Sequence, residues 1–125
     1  PQCEWSKDEE SLLLDGVCNE LSRAGDGANL KKSFWTSLAT GIPAENGAPK
    51  SAAACKTKYT RVRGTWKIVA GIIRNSGWSW DSTYGANITP ELSTMWEEYV
   101  NANPKAAPYR NEGWIHEEIF RQIQP

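Results

Sequence analysis

No aspartate or glutamate occurs between Asn46 and Trp80, although the chain of 125 residues carries 15 acidic side chains against 14 Lys and Arg. In that interval stand Lys50, Lys56, Lys58, Arg61, Arg63, Lys67 and Arg74, so positive charge is sorted into one segment of a chain with net charge −1. A polyanion responds to the local field rather than to net charge, so a chain with a pI near 5.9 can still carry a nucleic-acid-binding face. Cysteine is sparse as well. Cys3, Cys18 and Cys55 are an odd number, with neither a CxxC pair nor a companion His at metal-ligand spacing, which argues against a disulfide framework and against zinc. Cys18 and Cys55 fall on apolar positions of helical patterns and read as small buried hydrophobes in a reducing compartment. No apolar run approaches the ~18 residues of a membrane span, and the start resembles no signal peptide. The first residue is Pro1 rather than Met, and the chain reads as an excised domain.

Catalytic equipment is equally thin. His116 is the one histidine, set between Ile115 and Glu117 with no nucleophile near it in sequence, and is expected on a helix surface. Glu97 with Glu98 and Glu117 with Glu118 are adjacent pairs that point to different sides of a helix, a poor arrangement for an acid and a base. Phosphate loops, dinucleotide fingerprints and zincin motifs are all missing. The expectation is therefore no catalytic residue, no cofactor, no metal and no enzymatic activity.

What the chain does have is tryptophan, seven in 125 residues. Side chains that large mostly fill interiors, and a chain of this length can bury a single core, so residues 1–125 read as one domain. Ser6 with Glu9 makes an S-x-x-E capping box, and Leu12, Leu13, Leu14, Val17 and Leu21 follow at helical spacing, predicting a first helix over about 7–23. Ala24–Asn29 reads as a loop. Lys31–Thr40, with Phe34, Trp35 and Leu38 on one side, reads as a second helix. Gly41–Lys50 is rich in Gly, Pro, Asn and Ala and reads as a loop that stops where Ser51 caps a third helix.

The third helix, about 51–74, carries the charge. Cys55, Tyr59, Val62, Trp66, Val69 and Ile73 advance by four, three, four, three and four, which at about 100° per residue makes one narrow apolar stripe. Lys56, Thr60, Arg63, Lys67 and Arg74 form a second stripe about a quarter to a third of a turn away, with Ala53, Thr57 and Gly64 beside it. An ordinary solvated face is the plainer reading of such a run. Solvated faces, however, commonly interleave Glu with Lys at i, i+4, and a face without carboxylates gives up that pairing and accepts self-repulsion. A phosphate backbone would relieve both costs. Beyond this helix, Trp78 and Trp80 sit in a polar stretch, where a base-stacking role is the alternative to burial. Thr89 and Pro90 read as the cap and first turn of a fourth helix bearing Leu92, Met95, Trp96, Tyr99 and Val100. Pro104 and Pro108 break the chain, and Trp114, Ile115, Ile119, Phe120 and Ile123 suggest a short fifth helix. Asp81, Glu91, Glu97, Glu98, Glu112, Glu117 and Glu118 make this end acidic.

These features resemble the Myb/SANT-like DNA-binding domains of fungal and plant genomes, often found in transposon-related proteins. Trp5 with SKDEESLLL is similar to the first tryptophan and acidic first helix of a Myb repeat, and FWTSLA to the second tryptophan helix. CKTKY is similar to the C-x-x-K-aromatic portion of the third helix, which puts Tyr59 rather than Trp66 at the third core aromatic. SGWSWD, MWEEYVNANPKAAPYRN and GWIHEEIF resemble the C-terminal signature of the group, so that the likeness covers nearly the whole chain. Two departures are Asn103, where the family usually has His before Pro104, and the long Gly41–Lys50 loop.

The resemblance implies an all-α fold: a three-helix core, a helix-turn-helix variant over about 7–75, with an extension of about two helices over 76–125. The implied partner is double-stranded DNA, with Ala53, Lys56, Thr57, Thr60 and Arg61 facing bases and Lys50, Arg63, Lys67 and Arg74 contacting phosphates. A nuclear transcription-factor or transposon-associated module follows from it. The rival reading is a SANT-type domain that binds histone tails or other chromatin proteins through its acidic faces.

Overall fold

Ser6 and Glu9 start the fold as their spacing predicts. The computed structural model describes residues 5–24, 30–43 and 49–123; Cys3, the 25–29 part of the first loop and the 44–48 interior of the second lie outside the described residues. Ser6 Oγ accepts the Glu9 N–H at 3.1 Å and Glu9 Oε1 accepts the Ser6 N–H at 2.8 Å, so two free donors of the helix start are satisfied reciprocally. Behind this box runs α1, Lys7–Ala24, followed by α2, Lys32–Thr40. Ser51 Oγ accepts the Ala54 N–H at 3.0 Å and so caps α3, Ala52–Arg74. A 3-10 turn, Pro90–Leu92, leads into α4, Ser93–Ala102, and a second 3-10 turn, Pro104–Tyr109, precedes α5, Glu117–Ile123. Among the described residues there is no strand, only an isolated bridge between Asp81 and Gly85, and the fold is all-α.

The chain forms two compact units, Pro1–Val62 with Arg121–Pro125, and Arg63–Phe120, and α3 runs through the division. In the first unit Leu13, Leu14 and Val17 of α1, Trp35 of α2, and Cys55, Tyr59 and Val62 of α3 are buried, with the Trp35 and Tyr59 rings 5.8 Å apart. This is the expected three-helix core. Trp5 and Leu38 are half-buried at its edge. Trp5 precedes the α1 cap and spends one ring face on Lys50, whose Nζ lies 5.3 Å from the ring centroid. The deepest polar feature of this unit is an ion pair. Lys50 Nζ donates to Glu9 Oε2 at 3.0 Å, and both side chains are 0% exposed. Glu9 thus caps α1 with one oxygen and holds the residue before the α3 cap with the other.

In the second unit, Trp66 of α3 lies against Trp114 and Phe120, with ring centroids 6.2 Å and 6.0 Å away. A second cluster gathers Ile72, Trp78, Ala86, Ile88, Trp96 and Ala106. Trp78 Nε1 donates to the Ile72 carbonyl at 3.1 Å, satisfying one of the acceptors that the end of α3 leaves open. Burial of Trp78 removes it as a base-stacking platform. Ile72, rather than the expected Ile73, is the fully buried residue here, because the Trp78 and Trp96 cluster covers α3 on a side other than the one Val69 and Trp66 occupy.

Three further expectations are corrected in this unit. His116 is not a surface helix residue: it precedes α5, is buried, and sets its ring edge-on to Trp114. Glu117 does not contribute to an acidic surface, since it is buried and accepts the Trp80 indole N–H at 2.8 Å and the Ser82 hydroxyl at 3.4 Å. Thr89 makes no side-chain cap, and the approach to α4 is the Pro90–Leu92 turn instead. There the Glu91 carboxylate is held below the usual range by its own backbone N–H and by the Thr89 side chain. Asp81 closes the loop after Trp80, its Oδ2 accepting the Thr83 and Tyr84 N–H groups at 2.8 Å each. Gly85 follows at φ 64°, where a Cβ would strike the Tyr109 and Glu112 carbonyls, so the turn requires glycine.

The Glu9–Lys50 pair makes a specific stability prediction. Lys50→Met leaves a buried carboxylate without its counter-charge and should destabilise the domain by about 3–5 kcal/mol in denaturant melts. Adding Glu9→Gln, which keeps the capping geometry and needs no cation, should recover most of that loss.

Candidate nucleic-acid interface

The sequence of α3 places its side chains by the helix repeat alone, 3.6 residues per turn and about 1.5 Å of rise per residue. Lys56, Thr60, Arg63, Lys67 and Arg74 recur at four, three, four and seven residues and so keep to one side over roughly 27 Å. Lys56, Thr60, Lys67 and Arg74 are exposed, and Arg63 is half-buried. Ala53, Thr57 and Arg61 are exposed as well. None of the ion pairs among the described residues engages Lys56, Arg63, Lys67 or Arg74. The first turn of α3 contains no acidic residue, and Arg74 sits in the last turn, where its charge suits the helix dipole.

Lys50 differs from the other expected site residues in being buried. Its ammonium is sealed from solvent against Glu9, so it cannot serve as a phosphate contact without breaking the pair that holds the start of α3. The basic segment seen in the sequence therefore divides by use. Lys50 is consumed in the core; Lys58 lies 3.5 Å from Glu10 of α1; Lys56, Lys67 and Arg74 are exposed and Arg63 is half-buried. Thr60 is modified in role. Its hydroxyl donates to the Lys56 carbonyl at 3.0 Å, which leaves it an acceptor and a methyl contact rather than a donor. Thr57, one turn from Ala53 and Arg61, has an exposed side chain capable of either.

The Glu9–Lys50 pair escaped the sequence because its partners are 41 positions apart and each had a sufficient local explanation, Glu9 as a cap and Lys50 as part of a basic run. The α3 face offers cationic donors and small side chains. Among the described residues no cluster of His, Cys, Asp or Glu could hold a metal ion, and no helix is long and apolar enough to cross a membrane.

The chain belongs to the Myb/SANT-like DNA-binding domain family, whose profile matches residues 4–99. The match takes in α1, α2, α3, the SGWSWD stretch and α4 as far as Tyr99, so the family's DNA-binding character applies to the segment that contains the basic face. It is a DNA-binding family rather than an enzymatic one. The Pro104–Tyr109 turn and α5 lie beyond the match. No curated protein and no solved structure is significantly similar to the chain.

Exposed cations without partners should be dispensable for folding. Alanine at Lys56, Lys67 or Arg74 should leave stability within about 0.5 kcal/mol of the parent by thermal or chemical denaturation. A loss of several kcal/mol at any of them would mean that the residue is structural.

Proposed function

We propose that this Myb/SANT-like domain binds double-stranded DNA by laying the exposed face of α3 in the major groove and reading sequence there. The observation that supports it is the row Lys56, Arg63, Lys67 and Arg74, in no ion pair among the described residues and on a helix with no acidic residue, in a chain of a DNA-binding family. In this reading Lys56 donates to a guanine edge, Thr57 and Thr60 meet base edges or a thymine methyl group, and Ala53 and Arg61 complete the base-facing set. Arg63, Lys67 and Arg74 hold phosphates and fix the register of the helix. Residues 1–125 act together as one binding module, nuclear in location, serving transcription or a transposon-derived protein. A second reading draws on the exposed carboxylates Glu91, Glu97, Glu98, Glu112 and Glu118, which suit a SANT-type surface for a basic chromatin tail. The acid-free α3 favours DNA.

Fluorescence anisotropy at several salt concentrations tests the proposal. Arg63→Ala with Lys67→Ala should weaken binding to all duplexes alike and flatten the salt dependence, each lost phosphate contact removing roughly 0.9 from the slope of log affinity against log salt. Lys56→Ala or Thr57→Ala should cost about 1–3 kcal/mol on the preferred site and little on random DNA. Absence of salt-dependent affinity for any duplex, with loss of a protein partner on mutating the acidic face, would replace this reading with the second one.

A further inference from the structure

Gly64 stands in the interior of α3, twelve residues after its first residue and ten before its last. Glycine there forfeits about 1 kcal/mol of helix stability relative to alanine, so a helix that keeps it has either a conformational or a steric reason. The conformational reason is missing. The one positive-φ glycine among the described residues is Gly85, and α3 runs through position 64 without a break. The internal steric reason is missing too. A Cβ on Gly71 would approach the Tyr99 hydroxyl at 3.3 Å, and one on Gly16 would meet the Leu38 side chain, whereas among the described residues a Cβ on Gly64 would meet nothing within 4 Å. None of the described residues, therefore, uses the space that Gly64 leaves open.

Its position says what could use it. On the helix surface Gly64 neighbours Thr60 and Arg61 on the preceding turn and Lys67 on the next, all exposed. Removing a side chain between two cations lets an outside surface come nearer to the helix axis by about one carbon–carbon bond, roughly 1.5 Å, while the cations still reach past it on either side. That is an arrangement suited to a partner that is anionic along its edge and must come close to the helix backbone, as the wall of a DNA groove does.

We propose that Gly64 is the point of closest approach between α3 and bound duplex DNA, and that it limits how deeply the helix seats. The inference rests on the DNA-binding reading above. It assigns to Gly64 a role opposite in sign to its effect on folding: the glycine weakens the helix and strengthens the complex.

The test measures both quantities on the full chain for Gly64→Ala and Gly64→Leu. Alanine and leucine are both strong helix formers, so both variants should melt several degrees higher than the parent. Duplex affinity at fixed salt should fall in order of size, roughly tenfold for Gly64→Ala and further for Gly64→Leu, with the salt slope unchanged because no cation has been removed. Two outcomes overturn the proposal while leaving DNA binding intact. One is affinity equal to or above the parent in both variants. The other is an equal loss in both, which would mark helix flexibility rather than contact distance as the role of Gly64. If the parent chain itself binds no duplex, the reading beneath the proposal fails and the proposal fails with it.

Discussion

The first unit depends on one carboxylate. Glu9 is fully buried, and burial of a charge is tolerated only where it is paired and hydrogen-bonded. Here one oxygen accepts the Ser6 N–H and the other the Lys50 ammonium, so the start of α1 and the approach to α3 are tied to a single side chain. Trp5 closes the arrangement by setting its ring near the same ammonium. Apolar packing of Leu13, Trp35 and Tyr59 drives collapse but would tolerate small shifts along a helix. The ion pair does not, because an offset of one residue would leave two buried charges unpaired. On this account it fixes where α3 begins, and hence which of its residues face outward.

That outward face is built at a cost the rest of α3 must meet. A helix of 23 residues without a carboxylate has no intrahelical ion pairs to draw on and repels itself along its cationic side. Its stability comes from burial instead: Cys55, Tyr59 and Val62 in the first unit, Trp66, Val69 and Ile72 in the second. The end of the helix is finished by the Trp78 indole on the Ile72 carbonyl. The buried residues of α3 and its exposed cations thus lie on different sides of one element.

Most of the helical architecture was legible in the sequence because its signals are local. The Ser6–Glu9 box, the Ser51 cap and the spacing of Cys55, Tyr59, Val62, Trp66 and Val69 each lie within a few residues, and each appears in the structure as read. The errors concern residues whose partners are distant. By its sequence neighbours Lys50 is a surface cation, yet Glu9 holds it in the core; Glu117 belongs to an acidic end, yet it serves Trp80 and Ser82; His116 is set for exposure, yet it packs on Trp114. A polar residue's sequence neighbourhood reports its exposure only when no long-range partner exists. The Ile73 to Ile72 shift has the same origin, since a helix wheel assumes one packed side and the second half of α3 has another.

The claim at the centre of this account is that α3 meets DNA with the face that bears Lys56, Thr57, Thr60, Gly64 and Lys67. Backbone amide shifts of isotope-labelled protein titrated with a short duplex would locate the contact directly. The largest changes should fall on those residues and their immediate helical neighbours, while the exposed acidic residues of α4, Glu97 and Glu98, stay unmoved. Changes concentrated on Glu97 and Glu98, or none anywhere at saturating duplex, would contradict it.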